Sequence, residues 1–385
     1  MIAVIFRAFG RRVSFLDKLA ALNYGLLLVL VLIASVGVLM LYSTAGGSME
    51  HRGWAQISRL SIGMGLLLLA VLVDIKIWIR IAYPFYFLML GTLFLVEFVG
   101  YQSMGAQRWL DVAFFSLQPS EPMKIALVLV LARYYHDLPA ERIVWFSSMI
   151  VPLILIALPV VLLLRQPDLG TAILTMLLGV GILFLAGIRY RYFISAILLG
   201  LVSLPFIWQF VLHPYQQQRV LTFLYPEQDP MGAGYHILQS KIALGSGGVF
   251  GHGYLGGTQN HLDFLPEKET DFIFTVLAEE IGLIGSFGLM FLYSIVLLLM
   301  FLIAKRSSSH FGRMLAMGLG VNFFLHAFSN IAMVTGLIPV VGMPLPLVSY
   351  GGSAIVAMLF GFGLVMNVHV HQNIGAGSAV SLDLR

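Results

Sequence analysis

Cysteine is absent from the 385 residues, which excludes disulfide bonds and thiolate metal sites. Charge is scarce. Asp, Glu, Lys and Arg together make up 10% of the chain, against about 25% in ordinary soluble domains. A single soluble core of this length would need a far larger polar shell, so a soluble globular enzyme, a disordered chain and a coiled coil are excluded. Also missing is the alternation of a membrane β-barrel, because the apolar runs are continuous. Solenoid-type repeats and a low-complexity tail are lacking too. What the chain has instead is 59% hydrophobic residues. The composition leaves an all-α, polytopic integral membrane protein, a single membrane domain over 1–385.

A helix that crosses the hydrocarbon needs about 20 apolar residues. Runs of that kind, read between charges and Pro/Gly breaks, fall at roughly 19–41, 57–73, 79–100, 119–135, 143–164, 168–188, 190–212, 272–304, 312–335 and 347–370. The first follows Arg7, Arg11, Arg12 and Lys18. It lacks a clear small-x-small cleavage site and reads as a retained helix rather than a signal peptide. Ten spans put both termini on one side. Fourteen of the 22 Lys and Arg residues fall on that side, so the positive-inside rule predicts cytoplasmic termini.

One stretch stands apart. Residues 213–270, between the seventh and eighth runs, form the one long loop and fall on the outer side. Seven of the thirteen residues from Gly245 to Gly257 are glycine. Long loops in compact folds are usually functional or disordered. The aromatic and apolar residues kept here, Tyr215, Phe223, Tyr235, Phe250 and Phe264 among them, argue against disorder. The loop is expected to pack on, or dip into, the outer face of the bundle.

Charges at membrane depth cost about 2.5–3.5 kcal/mol each and face a cavity or a partner. Glu121 and Lys124 are three apart, which on a helix puts them on one face within reach of each other. Pro122 fits only a first turn, so both belong near the outer end of the fourth helix. They either line a polar cavity or close the bundle as a structural pair. Glu97, Glu279 and Glu280 read as structural. Asp271 follows Thr270, a plausible N-cap, and precedes Phe-Ile-Phe. That places a carboxylate at a helix start on the edge of the apolar phase. The helix dipole lowers its pKa and burial raises it, and the sequence leaves the balance open. Arg108, Arg219 and Lys241 are outer cations that, with Lys124, could hold an anionic head group such as a pyrophosphate. Asn322, His326 and Asn330 recur every four residues and are expected to form interhelical hydrogen bonds. Gly251-His-Gly-Tyr-Leu-Gly256 fits G-x-G-x-x-G but lacks the strand of a dinucleotide site. His369 and His371 alone do not make a metal site.

Several longer motifs accompany these residues. They are Gln166-Pro-Asp-Leu-Gly-Thr171, Gln239-Ser-Lys-Ile-Ala-Leu-Gly-Ser-Gly-Gly248 and Gly257-Thr-Gln-Asn-His-Leu-Asp-Phe-Leu-Pro-Glu267. To them are added Thr270-Asp-Phe-Ile-Phe274 and Gly342-Met-Pro-Leu-Pro-Leu-Val-Ser-Tyr-Gly-Gly-Ser353. Together they resemble the SEDS family of bacterial shape, elongation, division and sporulation proteins, and within it the rod-shape branch. The resemblance implies a peptidoglycan glycosyltransferase of the bacterial cytoplasmic membrane. Such an enzyme polymerises lipid II into a growing glycan strand at the outer face, beside a class B penicillin-binding protein that crosslinks the product. It also implies a catalytic role for Asp271. Membrane lipids are expected partners and nucleic acid is not.

The implied chemistry suits these residues. A sugar hydroxyl attacks an anomeric carbon whose leaving group is a lipid pyrophosphate. The reaction needs a base for the hydroxyl proton and cations, or a metal, for the departing phosphates. No metal-ligand motif is visible and no cofactor is firmly implied, but Mg²⁺ or Mn²⁺ riding on the pyrophosphate would need few protein ligands. A lipid II flippase is the competing reading. Glu121, Lys124 and Glu97 could line its path, although the paired broken helices of a transporter are not evident. A scaffold that only recruits a synthase would leave Asp271 without a role.

Overall fold

A computed structural model describes residues 15–50, 52–103, 106–112, 115–143, 145–212, 214–225, 233–258, 267–340 and 342–380. Each of the ten expected runs coincides with a helix. They are α2 (Tyr24–Thr44), α3 (Arg52–Leu72), α4 (Ile75–Val99), α5 (Ser120–Asp137), α7 (Ser147–Arg165) and α8 (Leu169–Leu185). The rest are α9 (Tyr190–Phe206), α12 (Ile273–Arg306), α13 (His310–Val334) and α14 (Gly352–Val380). Short helix α1 (Phe15–Ala20) precedes them, and short helix α6 (Ala140–Ile143) lies between α5 and α7. Eight of the ten, α9 counted together with the π turn that continues it, are long and apolar enough to cross a membrane. The other two are α8, with 17 residues, and α5, which carries Glu121, Lys124, Arg133 and Asp137.

Burial follows the sequence. Helix α5 is apolar all round from Ile125 to Ala132 and buries every one of those residues, as a helix at the centre of a bundle must. It packs against α4, α7, α8, α13 and α14. Helix α9 stands at the other extreme: it buries no residue at all and presents Ile197, Leu199 and Val202 outward.

Two connections differ from expectation. Between α4 and α5 the chain makes a three-stranded antiparallel sheet, β1 (Tyr101–Ser103), β2 (Ala106–Val112) and β3 (Phe115–Leu117), in the order β1-β2-β3. Two of its strands have 3 residues each, and the 7 of β2 do not alternate polar with apolar, so no strand pattern stands out. The stretch 213–270 is not a bare loop. Its described part contains α10 (Pro214–Leu224) and α11 (Ala233–Ser246), and α11 lies against α12.

The glycine-rich segment is built into α12 itself. At Gly282 the helix backbone breaks, with φ 75° and ψ −161°. In an unbroken helix Leu283 N–H would donate to Glu279 C=O and Ile284 N–H to Glu280 C=O. Here those carbonyls accept from His252 N and Gly253 N, both at 3.0 Å. Leu283 N and Ile284 N donate instead to Gly248 O and Val249 O, at 3.0 and 3.3 Å. The loop thus supplies the partners that the break removes, which is the condition for irregular backbone inside a membrane protein. Glycine is required for the approach. A β-carbon on Gly247 or Gly251 would fall 2.1 Å from the carbonyl oxygens of Ala278 and Glu280 respectively. Glu279 and Glu280 complete the joint. Glu280 accepts from Ser43 and, at 3.3 Å, from Leu255 N, while Glu279 accepts from Thr258 Oγ1 at 3.0 Å. The break leaves a short half-helix, from Ile273 to the kink, with Asp271 just ahead of it.

Candidate active site

Thr270 is not the N-cap. Helix α12 begins at Ile273, its cap position is Phe272, and no side chain caps it. Residues 267–272 instead form turns around one carbonyl: Glu267 O accepts from the amides of Thr270, Asp271 and Phe272. The Thr270 hydroxyl bonds Glu267 Oε2 at 3.0 Å. This turn is clamped from two sides. Asn330 Nδ2 donates to Asp271 O at 2.8 Å and to Met343 O at 2.7 Å, and Ser349 Oγ donates to Thr270 O. The neighbouring Tyr350 N donates to Glu269 O at 2.8 Å. The clamp from Asn330, Ser349 and Tyr350 holds the backbone of the turn and does not engage the Asp271 carboxylate.

That carboxylate is half-buried. Its Oδ2 lies 3.5 Å from where a β-carbon on Gly342 would sit, and Gly342 itself has φ +76°. Burial, assisted by the charge of Glu267 and opposed by a hydrogen bond from Thr270, pushes its pKa up to about 6. Desolvation disfavours the charged form, which settles the balance that the sequence left open.

Two arginines missed in the sequence frame the same turn. Arg52 pairs with Glu269, and Arg59 lies over the Tyr350 ring at 4.3 Å. Only Tyr350, inside a quoted motif, gave a signal. From α11, Ser240 Oγ reaches Thr275 Oγ1 at 2.8 Å and Val334 O at 2.9 Å. The next residue, Lys241, is exposed, with its Nζ 2.6 Å from the β-position of Gly336, just past the end of α13. Lys241 therefore sits at the Asp271 end of the bundle. Arg219 lies on α10, and its side chain falls outside the described residues.

Glu121 and Lys124 point into the bundle and are 5% and 1% exposed. The Lys124 ammonium lies 2.8 Å from Glu121 Oε1 and 2.7 Å from His326 Nε2. His326 Nδ1 is 2.8 Å from Asn322 O. A carbonyl only accepts, so Nδ1 carries the proton and Nε2 accepts from the ammonium. The partner of the pair is thus on α13, one turn from Asn330, rather than on α12. Arg108 is also engaged, at 2.9 Å from Pro167 O and 3.5 Å from Asp168 Oδ2. Asp168 in turn caps α8 through Thr171 N. Glu97 lies 3.9 Å from Arg165.

The family model for FtsW, RodA and SpoVE, described as cell cycle protein, matches residues 23–374. The chain is 42% identical over 365 residues to the peptidoglycan glycosyltransferase MrdB of Escherichia coli strain K12, covering 94% of this chain and 96% of that one. It is 36% identical over 357 residues to a probable peptidoglycan glycosyltransferase FtsW of Geobacter sulfurreducens, covering 89% and 94%. Among solved structures, a chain of a peptidoglycan synthase complex that coordinates polymerisation and crosslinking superposes with a TM-score of 0.80 at 30% identity, covering 91% and 98%. The rod shape determining protein RodA of Thermus thermophilus superposes with a TM-score of 0.69 at 28% identity, covering 90% and 96%.

Proposed function

The chain belongs to the FtsW, RodA and SpoVE family of cell cycle proteins, and from that premise we infer that it is a peptidoglycan glycosyltransferase whose general base is Asp271. The observation that carries the assignment is that this carboxylate has no cationic partner within 4.0 Å among the described residues. Its backbone is clamped by Asn330, and its side chain is half-buried with a pKa near 6. A base is most effective when its pKa lies near the working pH.

In this reading the substrate is lipid II and the product a growing glycan strand. An acceptor sugar hydroxyl attacks the anomeric carbon of the lipid-pyrophosphate-linked sugar. The C–O bond to the leaving pyrophosphate breaks as the new glycosidic bond forms, and Asp271 takes the hydroxyl proton. Of the cations considered for the phosphates, Lys124 and Arg108 already have protein partners, whereas Lys241 is exposed at the Asp271 end. We assign the leaving phosphates to Lys241. Among the described residues no three His, Asp or Glu side chains converge as a metal site. A Mg²⁺ or Mn²⁺ ion riding on the pyrophosphate would need few protein ligands.

The reading places the chain in the bacterial cytoplasmic membrane with cytoplasmic termini. Asp271 then faces outward, beside a class B penicillin-binding protein that crosslinks the strand. The excess of Lys and Arg on the other side supports this orientation. The test is polymerisation of labelled lipid II by the purified chain in liposomes, alone and with that partner. Wild-type chain should build polymer and Asp271→Asn should not. Transbilayer movement of lipid II without polymer would favour the flippase instead.

A further inference from the structure

A pocket of about 390 Å³ opens between α4 and α5, lined by Lys76, Ile79, Arg80, Tyr83, Arg133 and His136. It lies at the end of the bundle away from Asp271. Glu121, in the first turn of α5, meets α13 one turn from the clamp on Asp271. From Glu121 to His136 the helix rises about 22 Å at 1.5 Å per residue, most of the way across a bilayer core of about 30 Å.

The charges around the pocket do not cancel locally. Arg133 is paired with Asp137 at 2.7 Å, and Asp74 is occupied in capping α4 through Lys76 N. His310 and Arg313, at the start of α13, lie near His136 and add no negative charge. Among the described residues, neither Lys76 nor Arg80 has an acidic partner within 4.0 Å. Two unpaired cations thus share a concave site with a tyrosine hydroxyl and an aliphatic side chain. The wall continues into bilayer-facing residues of α4, where Phe87 and Leu88 are 57% and 61% exposed. A free anion would use the polar lining and leave Ile79 and the apolar face of α4 beyond it without a partner. A phospholipid uses both, its phosphate between Lys76 and Arg80 and its acyl chains along α4.

We propose that this pocket binds the head group of an anionic phospholipid at the membrane face opposite Asp271. Basic pockets between transmembrane helices on the cytoplasmic side recognise such head groups. The site is independent of the glycosyl-transfer chemistry.

Native mass spectrometry of the full chain, released from detergent mixed with phosphatidylglycerol, cardiolipin or phosphatidylcholine, tests it. We expect one anionic lipid to be retained in preference to phosphatidylcholine. The double variant Lys76→Gln/Arg80→Gln should lower its occupancy about tenfold. The exchange variant Lys76→Arg/Arg80→Lys should restore it, which separates lost charge from lost folding. Asp271→Asn should bind as wild type does. Lys305→Gln/Arg306→Gln, which removes two cations from the same end of the bundle, should leave occupancy unchanged. Equal loss in that control would mean a diffuse surface field and would overturn the site. Equal retention of phosphatidylcholine would overturn it as well, as would displacement of the bound lipid by millimolar inorganic phosphate.

Discussion

The bundle holds two acids at the same end whose surroundings could hardly differ more. Glu121 is almost wholly buried and faces an ammonium at 2.8 Å, with His326 completing a closed triad. Asp271 is half-buried, no cation among the described residues pairs with it within 4.0 Å, and the charge acting on it is that of Glu267. A compensated buried charge is spent on holding helices together: the triad ties α5 to α13. An uncompensated, half-buried one holds a proton more readily, which is the direction of the shift at Asp271. The difference lies in the partner set rather than in burial, and it is the partner set that favours Asp271 over Glu121 as the proposed base.

The sharpest way to break this comparison is to neutralise each acid. Asp271→Asn should lower polymerisation by about 10²–10⁴ while the unfolding temperature in detergent holds or rises, because Asn330 and Ser349 grip backbone rather than carboxylate. A variant that polymerises at the wild-type rate would move the base elsewhere. Lys124→Met should do the opposite. Stranding Glu121 without its counter-ion should destabilise the fold by about 3–5 kcal/mol, and the double variant Glu121→Gln/Lys124→Met should recover much of that loss. Thermal unfolding reads both. A full recovery of activity in the double variant would confine the triad to structure; a stable but inactive double variant would give Lys124 a contact with substrate.

A smaller effect, about 1–3 kcal/mol, is expected from Gly251→Ala, whose methyl would collide with Glu280 O. Amide exchange over 247–258 should accelerate in that variant while exchange at the centre of α5 stays slow.

The pH dependence gives the finest distinction. Only ionised Asp271 can act as base, so the rate should fall about tenfold per unit as pH drops below about 6 and level off above it. Stability should run the other way. The folded-state pKa lies above the ordinary carboxylate value, so the fold binds the proton more tightly than the unfolded chain does. Stability therefore increases as pH falls through the window from about 6 towards 4. In Asp271→Asn this part of the stability profile should be flat.

The helices were legible because each apolar run is a local property of the chain. Asp271 was legible as a candidate from a fixed charge before Phe-Ile-Phe, and the Asn322/His326/Asn330 stripe from its period. What stayed hidden depended on distant partners. His326 lies 202 residues from Lys124, and nothing local announces that they meet. The role of the glycine-rich segment stayed open for a different reason. Glycine permits mobility and close approach alike, and only the break at Gly282 shows that close approach is what this segment uses.

The clamp on Asp271 also has a consequence for the order in which the molecule is made. The groups that grip its turn, Asn330 and Ser349, follow by 59 and 79 residues. Asn367, which seals α14 to the end of α3, follows Ala70 by 297. During synthesis the acid therefore leaves the ribosome long before anything can hold it in place. A chain stopped short of α13 carries Asp271 on an unsupported turn, and insertion of the last two helices completes the clamp. With Asp271 as the proposed base, polymerisation would begin only with the final stretch of translation, and a prematurely ended chain would be inert rather than misdirected.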